Sequence, residues 1–133
     1  MGESYIHVCL VKEIISWVER HDPQAVIFAD SCIVNAYHTP PNIGGHVPDV
    51  YARVNSLMQT IIGEAKTRKD LENDHSMSQF KAYLSYCRDY PGTRLILAVP
   101  WDMRRFVNNL FNRLKLEMEL PADSVEILHC FIG

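Results

Sequence analysis

"VPDVYARVNSLMQTIIGEAKT", residues 47–67, sets two apolar runs end to end and puts charge at their outer ends. "DVYARV" (49–54) and "LMQTIIGEAKT" (57–67) have β-like composition, and "NS" between them predicts a hairpin with a short turn. Side chains on a strand alternate between its faces. Glu64 and Lys66 therefore project on one side and Ala65 on the other. Asp49, behind Pro48, opens the partner strand, so pairing in register brings it toward Glu64. Two plainer outcomes compete with a site. Asp49 can simply finish a turn, and Glu64 and Lys66 can form a solvated strand face with a weak ion pair.

Outward from the hairpin, the pattern divides into helices and strands. Upstream, Ile6, Leu10, Ile14, Trp17 and Val18 share one helical face over about residues 4–20, and "HDP" at 21–23 ends that helix. "QAVIFADS" (24–31) reads as a strand and "NAYHTPPNIGGHVP" (35–48) as a loop. Downstream, "TRKDLENDH" (67–75) is a polar connection. "SMSQFKAYLSYCRDY" (76–90) is helical, with Phe80, Tyr83, Leu84 and Cys87 on one face, and "PG" stops it. "TRLILAVP" (93–100) has the continuous apolar character of a buried strand. Asp102 is placed to cap the next helix, whose apolar stripe is Met103, Phe106, Val107, Leu110, Phe111 and Leu114. "PADS" breaks that helix, and "VEILHCFI" (125–132) is a last strand. The order α-β-β-β-α-β-α-β predicts an α/β domain. Its mixed central sheet combines an antiparallel meander with a strand–helix–strand crossover and is flanked by helices.

Bulk properties bound the function. At 133 residues the chain fits one domain with one core, residues 1–133. A hydrophobic fraction of 47% and a charged fraction of 22% are ordinary for a globular fold. No apolar run approaches the roughly 18 residues that span a bilayer, and "MGESYIHVCLVKEIISWVER" lacks the basic leader of a signal peptide. These features lead us to expect no membrane partner and a cytoplasmic location. Cys9, Cys32, Cys87 and Cys130 lie in apolar surroundings with no CxxC, which predicts reduced core thiols. The six histidines are scattered and give no zinc pattern. His46 reads as a loop histidine without a role and His129 as a core histidine in an apolar strand. A net charge of −3 argues against a broad nucleic-acid surface but leaves room for a local basic patch.

The chemistry follows from the hairpin. Converging carboxylates repel each other and lose hydration. A divalent cation relieves both penalties, and hard oxygen ligands suit Mg²⁺ or Mn²⁺. A lysine beside such an ion can polarise a water and offset phosphate charge.

Pro48-Asp49, fourteen intervening residues, and then Glu64-Ala65-Lys66 resemble the signature of the PD-(D/E)xK nuclease superfamily. The predicted element order over roughly residues 4–100 is similar to the αβββαβ core of its restriction-endonuclease-like fold. An extra C-terminal helix and strand follow that core here. "QFKAY" resembles the QxxxY motif of the superfamily's RecB-like exonucleases, with Gln79 and Tyr83 adjacent on one helical face. Ser76-Met77-Ser78-Gln79 also fits a capping box, a purely structural use of Gln79, and Tyr83 lies within the apolar stripe.

The resemblance implies a Mg²⁺- or Mn²⁺-dependent deoxyribonuclease. Asp49, Glu64 and the Ala65 carbonyl would hold the metal, Lys66 would assist the attacking water, and Gln79 and Tyr83 would complete the catalytic set. A first-helix acid is sometimes a further metal residue in the superfamily, a role that falls on Glu13 here. The expected partner is nucleic acid, DNA in the first place, gripped with help from a homodimer or partner subunit because the domain is small. The alternative is a non-catalytic binding or assembly module on the same fold. Away from the hairpin, Arg104, Arg105, Asn108, Asn109, Asn112, Arg113 and Lys115 face away from their helix's apolar stripe. They form either a solvated face or a phosphate-contacting one. Lys66, Arg68 and Lys69 suggest a second small basic cluster.

Overall fold

Residues 5–30 and 37–131 are described in the computed structural model. Helix α1 (Tyr5–His21) leads into β1 (Val26–Ala29), β2 (Val50–Val54) and β3 (Gln59–Ala65). A one-turn α2 (Arg68–Leu71) and the long α3 (Asp74–Asp89) precede β4 (Thr93–Pro100), then α4 (Arg104–Glu117) and β5 (Val125–Cys130) follow. The sheet order is β1-β2-β3-β4-β5. β1, β2 and β3 pair antiparallel in sequence, while β3–β4 and β4–β5 pair parallel. The expected mixed sheet with a meander and a crossover is therefore present. None of the helices is long and apolar enough to cross a membrane among the described residues.

The sheet has a helix layer on each face. α1 lays Leu10, Val11 and Ile14 over Val50, Ala52, Ile61 and Ala98. α3 and α4 lay Phe80, Tyr83, Leu84, Val107 and Phe111 over Ile62, Leu95, Leu97 and Val99. β4 is covered on both faces, which explains why its sequence is a continuous apolar run rather than an alternating one. Each such fully buried aliphatic or aromatic side chain contributes about 1.5–3 kcal/mol by transfer from water. Gly63 lets α1 approach closely: a Cβ there would stand 2.7 Å from Ile14 Cγ2 and 3.0 Å from Val50 Cβ.

Several local expectations give way to tertiary contacts. The hairpin turn is four residues, not two, because Val54 pairs with Gln59. Asn55–Leu57 form a 3-10 turn and Met58 is left-handed, at φ 53°. The turn is latched to the end of α1, where Asn55 N donates to Asp22 Oδ2 at 2.8 Å and Ser56 Oγ donates to the His21 carbonyl at 2.6 Å. α3 starts at Asp74 with Asn73 as its cap, accepting from Ser76 N at 3.0 Å, so the Ser76–Gln79 capping box does not form. A capping box forms instead one segment earlier, between Thr67 and Asp70, inside the stretch expected to be an irregular connection. Asp102 does not cap α4. It pairs with Arg68, and Met103 takes the cap position without a side-chain bond. Phe106, assigned to the apolar stripe of α4, is exposed. β5 is a half-buried edge strand. His129 on it is not a core residue, since its Nδ1 lies 3.1 Å from an Arg104 guanidinium nitrogen at the surface. Cys9, Cys87 and Cys130 are free thiols, and burial pushes that of Cys87 up to about 12. Cys32 lies outside the described residues.

Candidate metal and catalytic site

The register of the hairpin builds the site. Val50 pairs with Gly63, so the next residue outward on each strand sets Asp49 opposite Glu64. The contact is direct: Asp49 N donates to Glu64 Oε1 at 3.3 Å. A bend at Asp49 turns its carboxylate toward the end of β3, where Oδ2 accepts from Ala65 N at 2.9 Å.

The Ala65 carbonyl faces the same edge. Lys66 N donates to the Ala98 carbonyl on β4 at 3.0 Å. The peptide between Ala65 and Lys66 is trans, so the Ala65 carbonyl points away from β4, toward Asp49.

Strand alternation carries Glu64 and Lys66 to the α3 face, as expected. Both are nearly enclosed, at 4% and 6% exposure. Lys66 Nζ lies 3.2 Å from Glu64 Oε2 and donates to Gln79 Oε1 in a short contact, with the Phe80 ring centroid at 6.0 Å. Tyr83 OH donates to Glu64 Oε1 at 3.4 Å. Gln79 and Tyr83, one turn apart on α3, thus reach the lysine and the glutamate respectively. Gln79 spends its carbonyl on Lys66 instead of a helix cap. Tyr83 is both a core residue and a donor to Glu64.

Electrostatics mark Glu64. Burial, and after it the nearby Asp49 carboxylate, push its pKa up to about 8 against the opposing pull of Lys66. Ammonium contact alone would hold it down; the desolvation of an enclosed carboxylate beside another one wins. Tyr83 is raised by burial and by the Glu64 charge, so its hydroxyl stays a proton donor.

The α1 residue at the site differs from expectation. Glu13 is half-buried on α1 and has no hydrogen-bond or ion-pair partner among the described residues. His7 takes that place, with Nε2 3.3 Å from Asp49 Oδ2. No sequence spacing links His7 to Asp49, 42 residues away, so only the packing of α1 on the sheet reveals it. His46, read as a bystander, lies 3.2 Å from Ser78 Oγ and packs edge-on to Tyr83 at 6.3 Å between centroids. The expected Lys66–Arg68–Lys69 basic cluster does not exist as such. Lys66 is enclosed by Glu64 and Gln79, and Arg68 is occupied by Asp102.

Among the described residues no three His, Cys, Asp or Glu side chains form a metal-binding group. The hard oxygen donors at this end of the hairpin are the Asp49 and Glu64 carboxylates and the Ala65 carbonyl. Comparison of the chain with protein-family models, curated proteins and solved structures gave no match.

Proposed function

We propose that the domain is a metal-dependent nuclease that hydrolyses phosphodiester bonds in DNA, on a restriction-endonuclease-like αβββαβ core of the PD-(D/E)xK type. One observation carries this reading. Asp49, Glu64 and Lys66 meet at one end of the β2–β3 hairpin, with Gln79 and Tyr83 reaching in from α3. A solvated strand face would not enclose a glutamate and a lysine and give each a partner from another element.

The donor set fits a hard divalent cation. Two adjacent carboxylates, one of them buried and raised to about 8, are destabilised as an ionised pair, and a cation relieves that. Asp49, Glu64 and the Ala65 carbonyl would hold Mg²⁺ or Mn²⁺. When bound, the ion would supply Lewis acidity at the phosphate and at the attacking water.

The remaining roles belong to the chain. Lys66 carries three N–H donors. Two face Glu64 and Gln79, which fix the ammonium, and the third is left to orient the water or a phosphate oxygen. Gln79 is a positioning residue for Lys66, Tyr83 for Glu64, and His7 for Asp49. In-line attack of water on phosphorus expels the 3′ oxygen and leaves a 5′ phosphate. Preorganised charge of this kind is worth about 10²–10³-fold per group in rate.

Incubation of the purified protein with plasmid DNA tests the proposal. Nicking with Mg²⁺ or Mn²⁺ and none in EDTA is expected. DNA bound but left intact under every metal would instead favour the second reading, a tethering or assembly module on the same fold, which the net charge of −3 already suits.

A further inference from the structure

Where the parallel strands end, two aromatic rings stand in solvent. Trp101, just past β4, is 52% exposed, and Phe131, just past β5, is 80% exposed. Their ring centroids are 6.4 Å apart with an interplanar angle of 29°, so they stack as one surface. The same face of the sheet has room for aromatic burial: Phe80 and Phe111 are enclosed between it and the helices, 4.9 Å apart. A paired aromatic surface left in water is a recognition feature more than a packing one.

The surroundings are polar and cationic. His129 meets Phe131 edge-on at 5.2 Å and ties it to Arg104. An open depression of about 650 Å³ runs in front of Trp101, lined also by Asp102, Arg104, Arg105, Asn108 and Asn109. Asp102 is neutralised by Arg68, which leaves Arg104 and Arg105 as the uncompensated charge. The 3-10 turn Trp101–Met103 runs straight into α4 at the same place, with Arg104 N donating to the Trp101 carbonyl.

This cluster and the candidate active site lie at the same end of the strands. Ala65 pairs with Ala98, and β4 runs only two residues further, about 7 Å of strand rise, to Pro100 and then Trp101. Arg68, just after Lys66, bonds both Asp102 and Met103 in the turn that carries Trp101.

We propose that Trp101 and Phe131, with Arg104 and Arg105, form a platform for the unpaired bases of single-stranded DNA leading into the Asp49–Glu64–Lys66 site. The rings stack a base face, and the guanidinium groups hold the adjoining phosphates. Paired bases within a duplex already have both faces covered, so the platform selects unpaired strand. This inference rests on the nuclease reading for its direction, but its test does not depend on cutting.

The test is binding in EDTA, followed by fluorescence anisotropy and by tryptophan emission, with oligodeoxythymidylate and a blunt duplex as probes. The chain has two tryptophans, and Trp17 is buried, so quenching reports Trp101. Single strand should quench wild-type emission. Trp101→Ala and Phe131→Ala, both exposed and tolerant of truncation, should each weaken single-strand binding on the order of tenfold and leave duplex binding unchanged. Equal losses for both probes, or no loss for either, would overturn the platform. So would sedimentation showing that Trp101→Ala dissolves a dimer, which would make the pair a subunit contact. Quenching without cleavage in Mg²⁺ keeps the platform and sinks the nuclease reading; cleavage without quenching does the reverse.

Discussion

At the scale of single residues, Glu64 sets the behaviour of the site. Glu64→Gln keeps its shape and removes a charge, so Mn²⁺ affinity by calorimetry should fall, because a neutral amide is a poor ligand for a hard cation. Lys66→Met keeps the packing over Phe80 but removes a cation, so Mn²⁺ affinity should hold or rise. A drop in metal affinity for Lys66→Met comparable to that of Glu64→Gln would contradict these roles. The raised pKa of Glu64, about 8 against an ordinary 4.5, also fixes a sign. Between those values the folded protein keeps a proton that the unfolded chain has lost, so metal-free stability falls as pH rises through that window. Mg²⁺ needs the ionised form, so it should raise the melting temperature more above about pH 8 than at about pH 5. A shift equal at both would remove Glu64 from the metal site. Asp49, Glu64, Lys66, Gln79 and Tyr83 were all legible in the sequence because strand alternation and helical spacing are local rules. His7 and the platform rings were not, because each acquires its neighbour through contacts between elements far apart in the chain.

At the scale of elements, α1 and the hairpin are the parts that aim the carboxylates. Gly63 sits under Ile14 and beside Val50, and it immediately precedes Glu64. Gly63→Ala should cost about 1–3 kcal/mol by overpacking, measured by urea denaturation, and should lower cleavage as well by displacing β3 from α1. An unchanged midpoint would show that α1 is free to retreat. Asn73→Ala removes the cap of α3 and should cost about 1 kcal/mol, a role that one of the two sequence readings of Gln79 gave to the Ser76–Gln79 box. The places where local patterns did not hold, the Asp102 cap, the Ser76–Gln79 capping box and the two-residue "NS" turn, share a cause. In each, a polar side chain or backbone group found a stronger partner in another element than the local motif offered: Arg68, Lys66 and Asp22 respectively.

At the scale of the whole molecule, element order and the mixed sheet were readable because apolar runs and breakers mark strands and crossovers. Which strands lie at the sheet edges was not, and "VEILHCFI" therefore looked more buried than β5 is. The charge balance has a similar lesson. A net −3 conceals a local cationic face at the start of α4. Arg104→Glu with Arg105→Glu should weaken DNA binding at every sequence and flatten its salt dependence. Unaltered binding would return that face to solvent. The central claim, that the hairpin end is a catalytic centre, is met most directly by one measurement: single-turnover cleavage of labelled DNA at saturating Mn²⁺ by wild type and by Lys66→Met. The account predicts metal-dependent cleavage by wild type and a rate lower by about 10²-fold or more in the variant, with DNA binding little changed. Equal rates in the two proteins, or no cleavage by wild type under any divalent metal, would contradict it.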